Sequence, residues 1–124
     1  MAGLTLDTGA LIAIERKSVR MSQIWERARL TRTRITVPSV VVVEWWRGQR
    51  GPVARTLDAV MVEPLSHALA RIAGEAMANV PGASVADAVV MASAAQRGDV
   101  VYTADLDDLT GLATYFPGVR VFGI

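Results

Sequence analysis

The sequence predicts an α/β chain folded as a three-layer α/β/α sandwich around a central parallel sheet. Three observations carry this. Short runs rich in β-branched residues alternate with longer stretches of helical periodicity, the order that builds parallel strands joined by crossover helices. With 124 residues, 52% hydrophobic and 20% charged, the chain can bury a core without a staple and is too short for two domains. Pro and Gly sit singly where elements should turn, with no linker, low-complexity tract or repeat, so residues 1–124 are expected to form one domain.

Gly3 to Asp7 reads as a short buried strand, and Ala10-Leu11-Ile12-Ala13-Ile14 opens a helical stretch behind it. In Met21 to Leu30, Ile24, Trp25 and Ala28 fall at helical spacing among Arg and Glu, which marks an amphipathic helix. Arg34 to Pro38 is a second strand, its terminal proline expected to cost only an edge hydrogen bond. Ser39 to Gly48 is ambiguous, because Val40 to Val43 favour a strand by propensity. Pro38-Ser39 offers a stop and an N-cap, and Arg47-Gly48 a basic last turn and a terminal glycine, so a helix is expected over 39–48. Met61-Val62-Glu63 is the third strand, Ser66 to Asn79 a helix stopped before Pro81, and Ser84 to Gln96 a helix ended by Arg97-Gly98. Asp99 to Thr103 is the fourth strand, Asp105 to Tyr115 the last helix and Val119 to Phe122 the last strand.

Composition excludes several chemistries. Without cysteine there is no disulfide, thiolate zinc site, iron–sulfur cluster or thiol nucleophile. The single histidine, His67, rules out a multi-histidine metal site. Apolar runs such as Val40 to Val43 are far shorter than the roughly 18 residues of a membrane span. The start carries no basic n-region or long apolar h-region, so a cytoplasmic location is expected. The net charge of +1 conceals a bias: residues 1–55 hold ten bases against four acids, residues 56–124 three against eight. Twelve of the thirteen bases are Arg, whose planar fork suits phosphate, so a basic face could meet a nucleic acid or an acidic partner; solvated helix faces are the plain alternative.

The acids at strand ends carry the chemistry, because sites in an open parallel sheet form beyond the carboxyl ends of the strands. Asp7 closes the first strand, Asp105 follows the fourth, and Asp87 lies in the first turn of the helix that leads into that fourth strand. Glu44 sits mid-helix between Val43 and Trp45, an expensive place to bury a charge. Each acid also has a structural reading: Asp7 and Asp105 as N-caps, Asp87 as the acid of a capping box, Glu44 as a partner of Arg47. Four separate caps do not predict convergence. Charges that do converge repel by roughly 4 kcal/mol at ~4 Å and an effective dielectric of 20, so their pKa values rise or a divalent cation binds. Oxygen donors without Cys or His select Mg²⁺ or Mn²⁺.

Leu6-Asp7-Thr8-Gly9-Ala10, Pro38-Ser39 through Glu44, Ala86-Asp87-Ala88 and Val101-Tyr102-Thr103-Ala104-Asp105-Leu106-Asp107-Asp108, in this order and spacing, resemble the PIN-domain family and within it the VapC-type toxins. The resemblance spans nearly the whole chain. It implies the α/β/α sandwich, a Mg²⁺ or Mn²⁺ site, endoribonuclease activity as the toxin of a toxin–antitoxin pair, a cognate antitoxin that occupies the active groove, and a homodimer. By the motif match Asp7, Glu44, Asp87 and Asp105 form the acidic quartet that holds metal and carries catalysis, with Thr103 a polar neighbour. The family often has a hydroxyl or amide side chain where this chain has Gly9; Thr8 is the substitute expected here. Of the three acids in 105–108, Asp105 is nearest the strand end, Asp108 lies one turn on as a second ligand or neighbour, and Asp107 is expected to face solvent.

The mechanism this implies is metal-assisted phosphodiester hydrolysis. A 2′-OH attack with a histidine base is disfavoured, since His67 behind a Ser66 cap is expected at the surface. Trp45 and Trp46 point ~100° apart on a helix, so one shares the core and the other is open to a dimer, antitoxin or RNA-base contact, or packs under a loop. Arg47, Arg50 and Arg55 are the candidates for RNA phosphate contacts, weighed against ordinary surface charge. A phospho-acceptor receiver domain is the first rival, but Asp7 stands alone and Lys17 is the only lysine. A catalytically silent PIN-like module that only binds RNA or protein is the second, and the intact quartet argues against it.

Overall fold

The computed structural model describes residues 2–124. Five short strands, β1 (Leu4–Leu6), β2 (Ile35–Pro38), β3 (Met61–Glu63), β4 (Val100–Thr103) and β5 (Arg120–Gly123), form one sheet in the order β3-β2-β1-β4-β5. Every neighbouring pair is parallel, with Leu4 opposite both Ile35 and Val100 at the centre. Six helices connect them: α1 (Thr8–Glu15), α2 (Val19–Leu30), α3 (Ser39–Trp45), α4 (His67–Asn79), α5 (Val85–Arg97) and α6 (Leu106–Tyr115). The helices pack in two groups, α1 with α2 and α3, and α4 with α5 and α6. One group lies on each face, as the right-handed rule for parallel crossovers requires with this strand order. Both faces are therefore covered, and the core runs between them through Leu6, Leu11, Val37, Trp45, Val89, Val90, Met91 and Leu112.

The helix starts follow from capping chemistry. Asp7, Ser18, Ser66 and Ser84 each stand in front of a helix and accept from the N–H three residues on, at Ala10, Met21, Leu69 and Asp87. Gly98 closes α5 in the left-handed conformation at φ 69°.

Two local expectations are corrected. The third helix covers Ser39–Trp45, not 39–48, and Ser39 is its first residue, its hydroxyl accepting from the Leu65 N–H at 3.1 Å. Pro38 occupies the cap position without a side-chain bond, and Trp46 is already extended. Four consecutive valines give this helix little intrinsic stability, so it ends once the last buried side chain, Trp45, is placed. Its final carbonyl, on Trp45, is satisfied by Gln49 Nε2 at 2.9 Å and Arg47 Nη1 at 3.3 Å. The second correction concerns Pro38: β2 is an interior strand, not an edge. Proline is accommodated because the β1 pairing ends at Thr36, two residues earlier, while Pro38 pairs only with Glu63 of β3. A 3-10 turn at Ala54–Ala59 was not anticipated.

A polar network locks α5 to the sheet. Asp99, 1% exposed, takes Arg97 Nε at 2.9 Å, Arg34 Nη2 at 2.7 Å and the Thr5 hydroxyl at 2.9 Å. Arg97 also pairs with Glu63 at 2.7 Å, and Ser93 donates to the other oxygen of Glu63 at 2.6 Å. Gly3 makes room for it: a Cβ there would lie 2.8 Å from Asp99 Oδ1 and 2.9 Å from Arg34 Nη2.

Candidate functional site

In this strand order the connections leave on opposite faces between β1 and β4, β1 into α1 and β4 into α6, which opens a crevice beyond the carboxyl ends of those two strands. The crevice is a cleft of about 270 Å³. Asp7, Glu44, Asp87, Asp105 and Asp108 all line it, together with Thr8, Gly9 and Ser84. Four segments that are scattered in sequence, the start of α1, α3, the first turn of α5 and the start of α6, thus deliver five carboxylates to one place.

Each carboxylate is held by its local structure. Asp7, 8% exposed, caps α1 through its bond from Ala10 N–H at 2.8 Å. Asp105 stands in the cap position of α6 but spends no oxygen on capping; its own N–H donates to Thr103 Oγ1 at 3.0 Å. Thr103 is buried at the end of β4, where its hydroxyl accepts this N–H. Asp87 is half-buried in the first turn of α5, its N–H on the Ser84 hydroxyl at 3.1 Å. Glu44 is exposed rather than buried, and takes the Thr8 hydroxyl at 2.5 Å. Thr8 therefore supplies a hydroxyl beside Gly9. Gly9 itself is dictated by packing: a Cβ there would stand 2.8 Å from the Ala104 Cβ.

Electrostatics mark the cleft as an uncompensated anionic site. Burial pushes the Asp7 carboxyl above its ordinary value of 3.8, and the charge of Glu44 adds to this, against the hydrogen bonds from Thr103 and Ala10. Burial likewise raises Asp87, assisted by Asp7, Asp108 and Glu44 and opposed by Ser84. Asp108 is raised by its hydrogen bond with Asp105 and by the charges of Asp105 and Asp107. No Lys or Arg is among the lining residues. Among the described residues no group of three or more acidic side chains is gathered tightly enough to cage an ion, so the carboxylates line an open cleft, not a closed chelate. Such an all-oxygen set fits Mg²⁺, which is held by one or two carboxylates and keeps much of its water, better than it fits a fully protein-ligated ion.

The remaining candidates lie outside the cleft. Asp107 is exposed and does not line it, and His67 is exposed on the first turn of α4. Trp45 is 2% exposed in the core, whereas Trp46 is 43% exposed. Arg50 and Arg55 are exposed and make no salt bridge among the described residues. Arg47 pairs with Glu15, and Glu44 does not pair with Arg47. Glu15 escaped the sequence reading, although an acid in the last turn of a helix, opposed to the helix dipole, signals a tertiary partner.

Residues 4–111 match the sequence profile of the PIN domain. No curated protein matches the chain by sequence. Among solved structures the chain is similar to one from the DNA-bound VapBC of Salmonella typhimurium, with 23% identity, a TM-score of 0.69 and coverage of 99% of this chain and 98% of that one. It is also similar to a chain of VapBC2 from Rickettsia felis bound to a DNA fragment from its promoter, with 13% identity, a TM-score of 0.73 and 98% of both chains covered. A toxin–antitoxin complex from Klebsiella pneumoniae gives 17% identity and a TM-score of 0.73 over 98% of this chain and 100% of that one. The shared fold extends across the length of each.

Proposed function

Because the chain belongs to the PIN-domain family, we propose that it is a Mg²⁺- or Mn²⁺-dependent endoribonuclease acting as the toxin of a toxin–antitoxin pair. PIN domains are generally divalent-metal-dependent, and those of VapC toxins are generally nucleases. One observation carries the reading for this chain: five carboxylates meet in a cleft at the β1/β4 switch point with no cationic side chain lining it.

Asp7, Glu44, Asp87 and Asp105 are the residues that would hold the ion, one or two of them directly and the others through its bound water, with Asp108 beside Asp105. A bound divalent ion supplies an activated water and offsets charge on the phosphate. The chain does the rest. Thr103 holds the backbone of Asp105, the Ala10 N–H holds Asp7, Ser84 orients the first turn of α5, and Thr8 restrains Glu44. Arg50 and Arg55, exposed beyond α3, would take flanking RNA phosphates, with Arg47 at the base of that segment. The exposed apolar side chains Val43, Val85 and Leu106 neighbour the cleft residues Glu44, Ser84 and Asp105 in sequence and give an antitoxin segment apolar surface beside the acids. The structural relatives from toxin–antitoxin complexes support such a partner. A homodimer and a cytoplasmic location belong to the same proposal; among the described residues no helix is long and apolar enough to cross a membrane.

End-mapping of RNAs incubated with purified protein tests the reading. Cleavage should require Mn²⁺ or Mg²⁺, stop in EDTA, and fall below about a hundredth of wild type in Asp7→Asn, the scale of losing one essential electrostatic contact. Full cleavage in EDTA, or by the Asp7→Asn variant, overturns it.

A further inference from the structure

We propose that Glu15, which does not line the cleft, is a positioning residue that fixes the last turn of α3 and with it Glu44; the inference rests on the metal-dependent reading of the cleft. The last turn of α3 straddles α1. In one direction Glu44 takes the hydroxyl of Thr8, the first residue of α1. In the other, the buried Trp45 donates its indole Nε1–H to Glu15 Oε1 at 3.1 Å, and Arg47 pairs with Glu15 Oε2, at the last residue of α1. Both oxygens of one carboxylate are therefore committed to the two residues that follow Glu44 at i+1 and i+3.

This clasp has work to do because α3 is weak on its own. It has seven residues, four of them valine, and no side-chain N-cap. Its final carbonyl relies on Gln49 and on Arg47, the same guanidinium that Glu15 holds. Without Glu15, Trp45 keeps a buried indole N–H with no acceptor, Arg47 is released, and the turn carrying Glu44 loses its second anchor. The Thr8 bond alone then holds Glu44, on an exposed side chain.

The test uses the full chain with Mn²⁺ alone as the probe, in two measurements: Mn²⁺ affinity by titration calorimetry, and amide hydrogen exchange in metal-free protein. Glu15→Ala should weaken Mn²⁺ binding roughly tenfold, the usual scale for residues behind a metal ligand. It should also speed exchange of the Trp46 N–H, which bonds Val42 O at 2.7 Å, about tenfold, with Val89 and Val90 in α5 unchanged. Glu15→Gln, which keeps an acceptor for Trp45, should restore most of the exchange protection. In a Glu44→Gln background the Glu15→Ala change should alter Mn²⁺ affinity less than about twofold. Equal weakening in both backgrounds would mean a merely structural role and overturns the proposal, as does wild-type affinity and exchange in Glu15→Ala. If Glu15→Ala does not fold, Arg47→Met carries the same comparison. A wild-type chain that binds no Mn²⁺ defeats the nuclease reading instead, and exchange at Trp46 still decides whether the clasp exists.

Discussion

The two ends of α5 hold the same kind of side chain in opposite states. Asp87, in its first turn, joins a cleft where burial and neighbouring carboxylates raise its pKa. Asp99, two residues past its last turn at Arg97, which itself lies about 15 Å from Asp87 by helix rise, is more deeply buried. Burial raises it too, but hydrogen bonds from Arg97, Arg34 and Thr5 outweigh that cost and hold it below its ordinary value. The difference lies in compensation, not in burial. One end of the helix is a finished structural joint; the other is left with carboxylates that no cationic side chain lining the cleft offsets.

Breaking the joint should have the largest effect on stability. Asp99→Ala leaves Arg97 without its buried partner, and losing one member of such a network costs about 3 kcal/mol. Thermal unfolding should show it as a drop on the order of 10 °C for a chain of this length. A drop of only a degree or two would mean that the network contributes no more than a surface pair.

The cleft should respond with the opposite sign. In metal-free protein Asp87→Asn removes a repelled, desolvated charge, so it should raise stability while abolishing RNA cleavage and weakening Mn²⁺ binding. Chemical denaturation beside a cleavage assay reads both at once. A variant that loses activity and stability together would make Asp87 a structural acid like Asp99.

The pH dependence sharpens the same contrast. Asp99 has a lowered folded pKa, so its contribution is complete above the ordinary value of 3.8 and is lost as pH falls through the folded value. Asp7 and Asp87 have raised folded pKa values, so the folded state binds more protons than the unfolded chain between 3.8 and those values. Their contribution is full at low pH and disappears as pH rises through that window. Metal-free stability should therefore carry two opposed slopes: Asp99→Asn flattens the acidic one, and Asp87→Asn the one above it. Saturating Mn²⁺ should reverse the upper slope.

The smallest expected effect probes packing beside the acids. Gly9→Ser should cost on the order of 1 kcal/mol by forcing its Cβ against Ala104, with Ala104→Gly restoring most of the loss. Unfolding of the single and double variants checks it. If Gly9→Ser is neutral without the second change, glycine is not dictated by that contact.

The alternation of elements and the capping residues were legible in the chain because their signals are local. Asp7, Ser66 and Ser84 precede apolar-periodic stretches, and Gly98 follows one, each solving its own helix end. The third helix was legible in kind but not in extent. Its length is set by where Trp45 finds the core and what accepts its indole proton, and those partners lie about 30 positions away. Asp7 and Asp105 are legible at strand ends, Asp87 and Glu44 join them through the motif match, and the structure brings those four acids to one cleft with Asp108. The pairing of the Thr8 hydroxyl with Glu44 depends on the contact between α1 and α3.

By itself the sequence determined which segments become strands and helices, that any chemistry runs through oxygen donors, and which acids stand at strand ends; these follow from residue type and spacing within a few positions. Only the tertiary structure decided which carboxylates are neutralised and which are left exposed to one another. Asp99 is compensated first by Arg97, two positions away, but also by Arg34 and Thr5, and Asp87 is raised by Asp7 and Glu44. These last four lie more than 40 positions away, and compensation by them depends on distance in space, which chain order does not encode.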